Sequence, residues 1–197
     1  MTTTPRRVVT ATLATLALAG AVAPGAGAAA NPPAAPAAPT FNTVKLPDAG
    51  GGTEPRITVA PDGKRYVITN AGDAVVYTST DGGQTWKQVT KPGGQTSPTI
   101  DVDIIAAHNG RLLASELDLA GINFPTSYSD DGGQTWTAAL GSTNLVDQDR
   151  QWFAFGPDDP STGKPRAYLL YHNLGSGAIQ HNMWVATSTD GGETFGP

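Results

Sequence analysis

Three short clusters carry the side chains with which this chain could do chemistry. They are Glu54-Pro55-Arg56-Ile57, Asp101-Val102-Asp103 and Asp147-Gln148-Asp149-Arg150-Gln151-Trp152, each on or near the start of a strand-like segment. A guanidinium such as that of Arg56 forms a permanently charged, bidentate pair with a carboxylate, so it suits an acidic ligand. In the third cluster Asp149 and Arg150 can face a ligand, while Trp152 offers a stacking surface for a sugar. The same residues have a structural alternative. An Asp–Arg pair orients an entering strand, Trp152 packs between sheets, and an Arg at a strand edge is simply solvated.

What must position these clusters is a repeat. Ser79-Thr80-Asp81-Gly82-Gly83-Gln84-Thr85-Trp86 recurs as Ser129 to Trp136 and again as Ser188 to Phe195, with aspartates at 81, 131 and 190. Self-similarity at a spacing near 50 residues signals a repeat architecture. Within each copy Asp81, Asp131 or Asp190 precedes two glycines, the chemistry of a tight turn. The carboxylate accepts N–H bonds from residues further on, and Gly83, Gly133 and Gly192 permit φ > 0. Hydroxyls of Ser79, Ser129 and Ser188, and of Thr85, Thr135 and Thr194, can bond into the same turn. Trp86, Trp136 and Phe195 open the next strand as apolar anchors, and Trp86 and Trp136 are expected to be substantially buried. The pattern reads as a stapled hairpin, not as a catalytic centre. A helix-flanked calcium loop is excluded, because its twelfth position needs Glu and holds Pro92 or Ser142 here.

Between the copies the chain reads as strands. Ile57 to Ala60, Arg65 to Asn70, Ala74 to Ser79 and Thr85 to Thr90 are short, β-branched or aromatic-rich, and bounded by turns. The second unit runs Ile100 to Ala107, Arg111 to Leu117, Asn123 to Ser129 and Thr135 to Leu140. The third runs Gln151 to Phe155, a long turn from Gly156 to Pro165, Arg166 to His172 and His181 to Ser188. Four strands per unit is the content of one propeller blade. The expected fold is all-β: a β-propeller of four-stranded antiparallel blades, about three of them present and the ring incomplete. Its innermost strands would line a central channel and carry the three clusters.

The eight-residue pattern closely resembles the Asp-box, or bacterial neuraminidase repeat, of sialidases, xyloglucanases, sortilin-type receptors and other propellers. In those families the box sits at the rim, away from the substrate pocket, so the resemblance implies architecture more than activity. Sialidases carry Arg-Ile-Pro at the start of the first blade, where the Arg grips the substrate carboxylate. Arg56-Ile57 matches two of those three residues, and Thr58 stands in place of Pro. The sialidase acid is an early Asp, commonly followed two residues later by Arg. Asp73, Asp101, Asp103 and Asp118 lie in that region, none with such an Arg; Asp101 and Asp103, in the second inner-strand cluster, are taken as the candidate acids. Sialidases use a Tyr nucleophile, and the resemblance puts it, with the remaining arginines, beyond Pro197.

Residues 1–30 resemble a secretory signal peptide: Arg6-Arg7, an apolar run from Val8 to Val22, and a small-residue cleavage site at Ala26-Gly27-Ala28. The run is broken by Pro24 and Gly25 and is short for a membrane anchor. The arginine pair leaves the Sec and twin-arginine routes both open. Residues 31–40 form a Pro/Ala spacer, and the folded part is expected over 41–197, the N-terminal portion of a longer protein. Without the leader, Lys plus Arg falls from 12 to 10 against 17 acidic residues, a net charge of −7. That argues against nucleic acid and anionic membrane as partners. The chain has no cysteine, and His108, His172 and His181 show no metal-binding spacing. No cofactor or metal is therefore expected, and the oligomeric state is open. Two function classes remain: a secreted, sialidase-like glycoside hydrolase, or a non-catalytic Asp-box propeller binding extracellular glycan or protein.

Overall fold

The computed structural model describes residues 37–48, 52–92, 98–118, 125–139, 148–173 and 182–196. The leader, Asp147 and His181 lie outside them. Residues 37–41 are exposed and carry no regular structure, and Asn42–Pro197 forms one compact unit. Among the described residues no helix is long and apolar enough to cross a membrane.

Eleven strands are described. The first sheet has the order β1 (Thr53–Val59), β2 (Arg65–Asn70), β3 (Ala74–Ser79), β4 (Lys87–Gln88). The second repeats it as β5 (Thr99–Ala106), β6 (Leu112–Asp118), β7 (Thr126–Ser129), β8 (Thr137–Ala138). The third contains β9 (Gln148–Asp158), β10 (Pro165–Asn173) and β11 (Met183–Ser188), with a single bridge from Thr187 to Gly196 where a fourth strand would lie. All pairings are antiparallel between sequence neighbours, as in propeller blades.

The middle sheet shows why the sheets stack. Strand β6 is buried from Leu112 to Leu117, and period-two alternation sends its side chains to both faces. Leu112 and Ala114 join Tyr66, Ile68, Val76, Val102 and Ile104 in the core between the first and second sheets. Leu113 and Leu117 join Phe153, Ala167, Leu169, Ala186 and Phe195 between the second and third. Each such buried Leu contributes about 1.5–3 kcal/mol of transfer free energy.

The strand expectations hold for β2 and β3 and shift elsewhere. The outermost strands shrink to the two-residue β4 and β8, because an edge strand pairs on one side only. The long turn expected from Gly156 to Pro165 is shorter. Strand β9 continues to Asp158, which pairs with Pro165, and a bulge absorbs the extra residue.

The three boxes fold alike. Ser129 Oγ donates to Asp131 Oδ1 at 2.8 Å and accepts from Gly133 N at 2.9 Å. Asp131 Oδ1 also accepts from Gln134 N and Thr135 N, both at 2.9 Å, and Oδ2 accepts from Thr135 Oγ1 at 2.6 Å. The same bonds recur around Asp81 and Asp190. These donors hold the Asp131 carboxyl down at about 2, the Thr135 hydroxyl being the largest cause. Gly192 shows why the second glycine is needed. Its φ is 86°, and a Cβ there would stand 2.4 Å from Leu113 of the neighbouring sheet.

Burial of the box aromatics is graded. Phe195 is buried, and Trp86 and Trp136 are partly buried. The indole N–H explains it: Trp86 Nε1 donates to Gly83 O of its own turn, and Trp136 Nε1 donates to Thr90 O, two residues past β4. Both rings keep a polar edge toward the turn surface while Trp136 packs on the first core.

Candidate functional site

The three inner strands, β1, β5 and β9, bring the sequence clusters together in register. In each sheet the box serine pairs with a residue near the start of the second strand: Arg65, Leu112 or Ala167. Three residues further along those strands stand Ile68, Ser115 and Leu170, which pair with Arg56, Asp103 and Trp152. Those three candidates therefore occupy one rung of successive sheets, toward the end remote from the boxes. Two residues earlier come Glu54, Asp101 and Arg150. Each inner strand slips register by one residue here, and Glu54 (φ 50°) and Arg150 (φ 53°) adopt left-handed backbone. Such bulges re-aim side chains, and non-glycine residues at positive φ concentrate at functional sites.

Two charge networks result. Asp103, 1% exposed, accepts from Arg56 Nε at 2.9 Å, from Phe153 N at 2.6 Å and from Ile104 N at 2.9 Å. One carboxylate thus ties together inner strands of all three sheets. Burial pushes its pKa up, against the pull of Phe153 N–H and Arg56. In the second network Arg150 Nη1 donates to Glu54 Oε2 at 2.8 Å and lies 3.5 Å from Asp101 Oδ1. Burial raises Asp101 as well, Arg150 opposing and the nearby Glu54 and Asp149 charges reinforcing it.

A cleft of about 280 Å³ opens over this rung, lined by Glu54, Arg56, Asp101, Arg150, Gln151 and Trp152 among others. Trp152 is 36% exposed, an available face rather than a ring packed between sheets. Gln151 Nε2 donates to Asp101 O at 3.1 Å, fixing β9 against β5. Asp149 does not pair with Arg150; its carboxylate lies 3.5 Å from His172 Nε2, beside the cleft. Asp73 pairs with Lys91 at 3.0 Å, in the β2–β3 turn.

A second hollow, about 320 Å³, lies at the box end between the β1–β2 and β5–β6 turns. Its acidic groups are committed to structure: Asp62 pairs with Lys64, and Asp131 staples its box. The cleft at the opposite end has the accessible indole and the convergent charges, so it is the better site.

The sequence pattern assigns roles to Arg56, Asp101, Arg150 and Trp152, and the structure places all of them at the cleft. Glu54 and Gln151 belong to the same clusters but carry no role there. Glu116 was missed. It is buried on β6, on the face of Leu112 and Ala114, and period-two counting along Leu-Leu-Ala-Ser-Glu-Leu would have flagged it.

The BNR/Asp-box repeat model matches residues 77–88 and 127–138. The third box, Ser188 to Phe195, lies outside the matched residues but forms the same bonds. No curated protein matches in sequence. Among solved structures, the Penicillium chrysogenum α-L-arabinanase in complex with arabinobiose is similar at a TM-score of 0.55 and 14% identity, over 74% of this chain and 48% of that one. The Fusarium graminearum α-L-arabinofuranosidase Arb93A gives 0.54 and 15% identity, over 75% and 48%. The Hadza microbial sialidase Hz136 gives 0.50 and 18%, over 74% and 32%. At these identities the likeness is one of fold. The chain spans about half the length of the two arabinan-related structures and about a third of the sialidase.

Proposed function

Taking the chain as a β-propeller built on Asp-box repeats, we propose that it is an exported, sialidase-like protein that acts on or binds extracellular glycans at the inner-strand cleft. The observation that carries this reading is the convergence of Glu54, Arg56, Asp101, Arg150 and Trp152 from three successive inner strands at the end opposite the boxes. A sugar is amphipathic, with apolar C–H faces and many hydroxyls. An exposed indole beside fixed carboxylates and guanidiniums meets both demands. If the protein hydrolyses its ligand, Asp101 is the group to donate the proton. It lines the cleft, and burial raises its pKa toward the working range of a general acid. Asp103 is suited to positioning, since its oxygens are occupied by Arg56, Phe153 and Ile104.

One observation favours the non-catalytic alternative. Glu54 and Asp101 both flank Arg150, so neither carboxylate is without a cationic neighbour. The test is a glycan array probed with the full chain, followed by hydrolysis of aryl glycosides by wild type, Asp101→Asn and Trp152→Ala. Glycan binding that Trp152→Ala weakens by about tenfold, roughly the worth of one stacked aromatic contact, supports the cleft. Turnover abolished by Asp101→Asn assigns the acid, and binding without turnover assigns the module. Absence of binding to every glycan removes the proposal. Export is tested separately by the N-terminal mass of secreted protein, expected to start after Ala28 or Ala30; an intact Met1 outside the cell refutes it.

A further inference from the structure

We propose that Glu54 is a positioning residue: it draws the Arg150 guanidinium to its own carboxylate and keeps it from closing into a direct ion pair with Asp101. The proposal rests on the glycan reading above and names the residue that prepares the candidate acid of that cleft. Its basis is one shared nitrogen. Arg150 Nη1 stands 2.8 Å from Glu54 Oε2, a charge-assisted hydrogen bond, but 3.5 Å from Asp101 Oδ1, too far for one. Screening alone would favour the opposite choice. The Asp101 side chain is only 12% exposed, against 42% for Glu54, and a charge pair attracts more strongly where less water surrounds it.

Backbone geometry sets which carboxylate the guanidinium reaches. Glu54 and Arg150 lie on different inner strands, 96 residues apart, yet both adopt positive φ, 50° and 53°. Each stands where its strand slips register, Glu54 between Thr53 and Arg56, and Arg150 opposite the interval from Leu170 to His172. Left-handed backbone at a non-glycine residue carries strain and persists where the surrounding structure fixes it. Here the two bulges bring the side chains together across β5, whose sheet lies between theirs. A purely structural tie is already present, because Asp103 bonds to β1 through Arg56 and to β9 through the Phe153 N–H.

The consequence is electrostatic. Asp101 keeps the raised proton affinity that burial gives it, with the Arg150 charge opposing from beyond hydrogen-bond range and Glu54 reinforcing the rise. Asp149 on β9 adds to the rise and itself faces His172 of β10. Arg56 on β1 is bound to Asp103, the next acid along β5, and Asp118 on β6 stands one residue beyond Leu117, the partner of Asp101. The Arg150 backbone N–H donates to the Asp101 carboxyl, a contact that substitution of the Arg150 side chain leaves in place.

The experiment follows the Asp101 carboxyl by carbon-13 NMR titration of the full chain, its resonance assigned with Asp101→Asn. Wild type should titrate above the ordinary 3.8. Glu54→Gln keeps the side-chain shape and frees Arg150 to close on Asp101. The midpoint should then fall by about half a pH unit or more, roughly a threefold loss of proton affinity. Arg150→Met should raise it by a similar amount. In the Arg150→Met background Glu54→Gln should act less than about half as strongly, which separates positioning from the direct charge of Glu54. Glu54→Ala takes the place of Glu54→Gln if the latter does not fold. Equal shifts in both backgrounds, or no fall with Arg150 present, overturn the proposal. No sugar enters this titration, so its outcome is independent of the glycan tests above. If wild type hydrolyses an aryl glycoside, activity should fade as pH rises through the Asp101 midpoint, and Glu54→Gln should move that alkaline limb to lower pH by the same amount. An unmoved limb beside a shifted titration removes Asp101 as the acid and leaves the positioning of Arg150 standing.

Discussion

Glu116 offers the sharpest test of how the first two sheets are held together. It is 4% exposed, on the face of β6 that packs against the first sheet, and its Oε1 has no hydrogen-bond partner among the described residues. Burial pushes its pKa from the ordinary 4.5 up to about 7, with Lys91 pulling it down and Asp73 adding to the rise. A tenfold change in proton affinity is worth about 1.4 kcal/mol, so the rise corresponds to about 3 kcal/mol of linked stability. The folded-state value is the raised one. The contribution is therefore fully present below pH 4.5 and is lost as pH rises through about 7. The perturbation is Glu116→Gln, which keeps the shape and removes the titration. The assay is urea unfolding of the full chain at several pH values from 4.5 to 8. With about 1–3 kcal/mol per molar urea for domains of this size, the wild-type midpoint should fall by about 1–3 M more than that of the variant across this range. Gln brings its own buried amide, which displaces the variant curve at every pH; the difference in slope is the readout. Parallel midpoint curves for the two proteins would show that Glu116 is not buried at this interface, and the account of the first core would be wrong.

Gly192→Ala should destabilise by about 2–5 kcal/mol, combining left-handed backbone strain with a clash against Leu113. Gly72→Ala, at φ 93° with nothing within 4 Å of the added methyl, should cost only the strain, about 1–2 kcal/mol, and equal losses in thermal unfolding would refute the close approach. Ser129→Ala removes a buried hydroxyl that donates to Asp131 and accepts from Gly133, and should cost about 1–2 kcal/mol by urea titration. Arg111 pairs with Asp130 of its own sheet and Glu193 of the next, over the ring of Tyr128. Arg111→Met should lower stability by about 1–3 kcal/mol, and Lys should restore only part of it, since a single ammonium cannot bridge both partners.

The repeat, the order of strands within each sheet and the inner-strand clusters are all legible in the amino-acid order. The Asp-Gly-Gly turn is local physics: one carboxylate collects donors from residues up to four positions away, so Asp81, Asp131 and Asp190 specify three hairpins without help from the rest of the chain. Strands β2 and β3 are legible residue by residue because turn signals bound them on both sides. Relations between strands far apart in sequence emerge only in the folded molecule. Arg56 and Asp103 are 47 residues apart, Arg150 and Glu54 are 96, and no local pattern pairs them. Asp101 and Asp103 look equivalent in the sequence. Their different environments come from the strand each one faces: Asp103 meets Arg56 and the backbone of Phe153, whereas Asp101 borders the cleft beside Arg150. Trp152 likewise could stack on a ligand or pack between sheets until β9 took its register against β10, which set the indole at the cleft. Local hydrogen bonding fixes a turn, but charge pairing across blades exists only once the inner strands stand side by side.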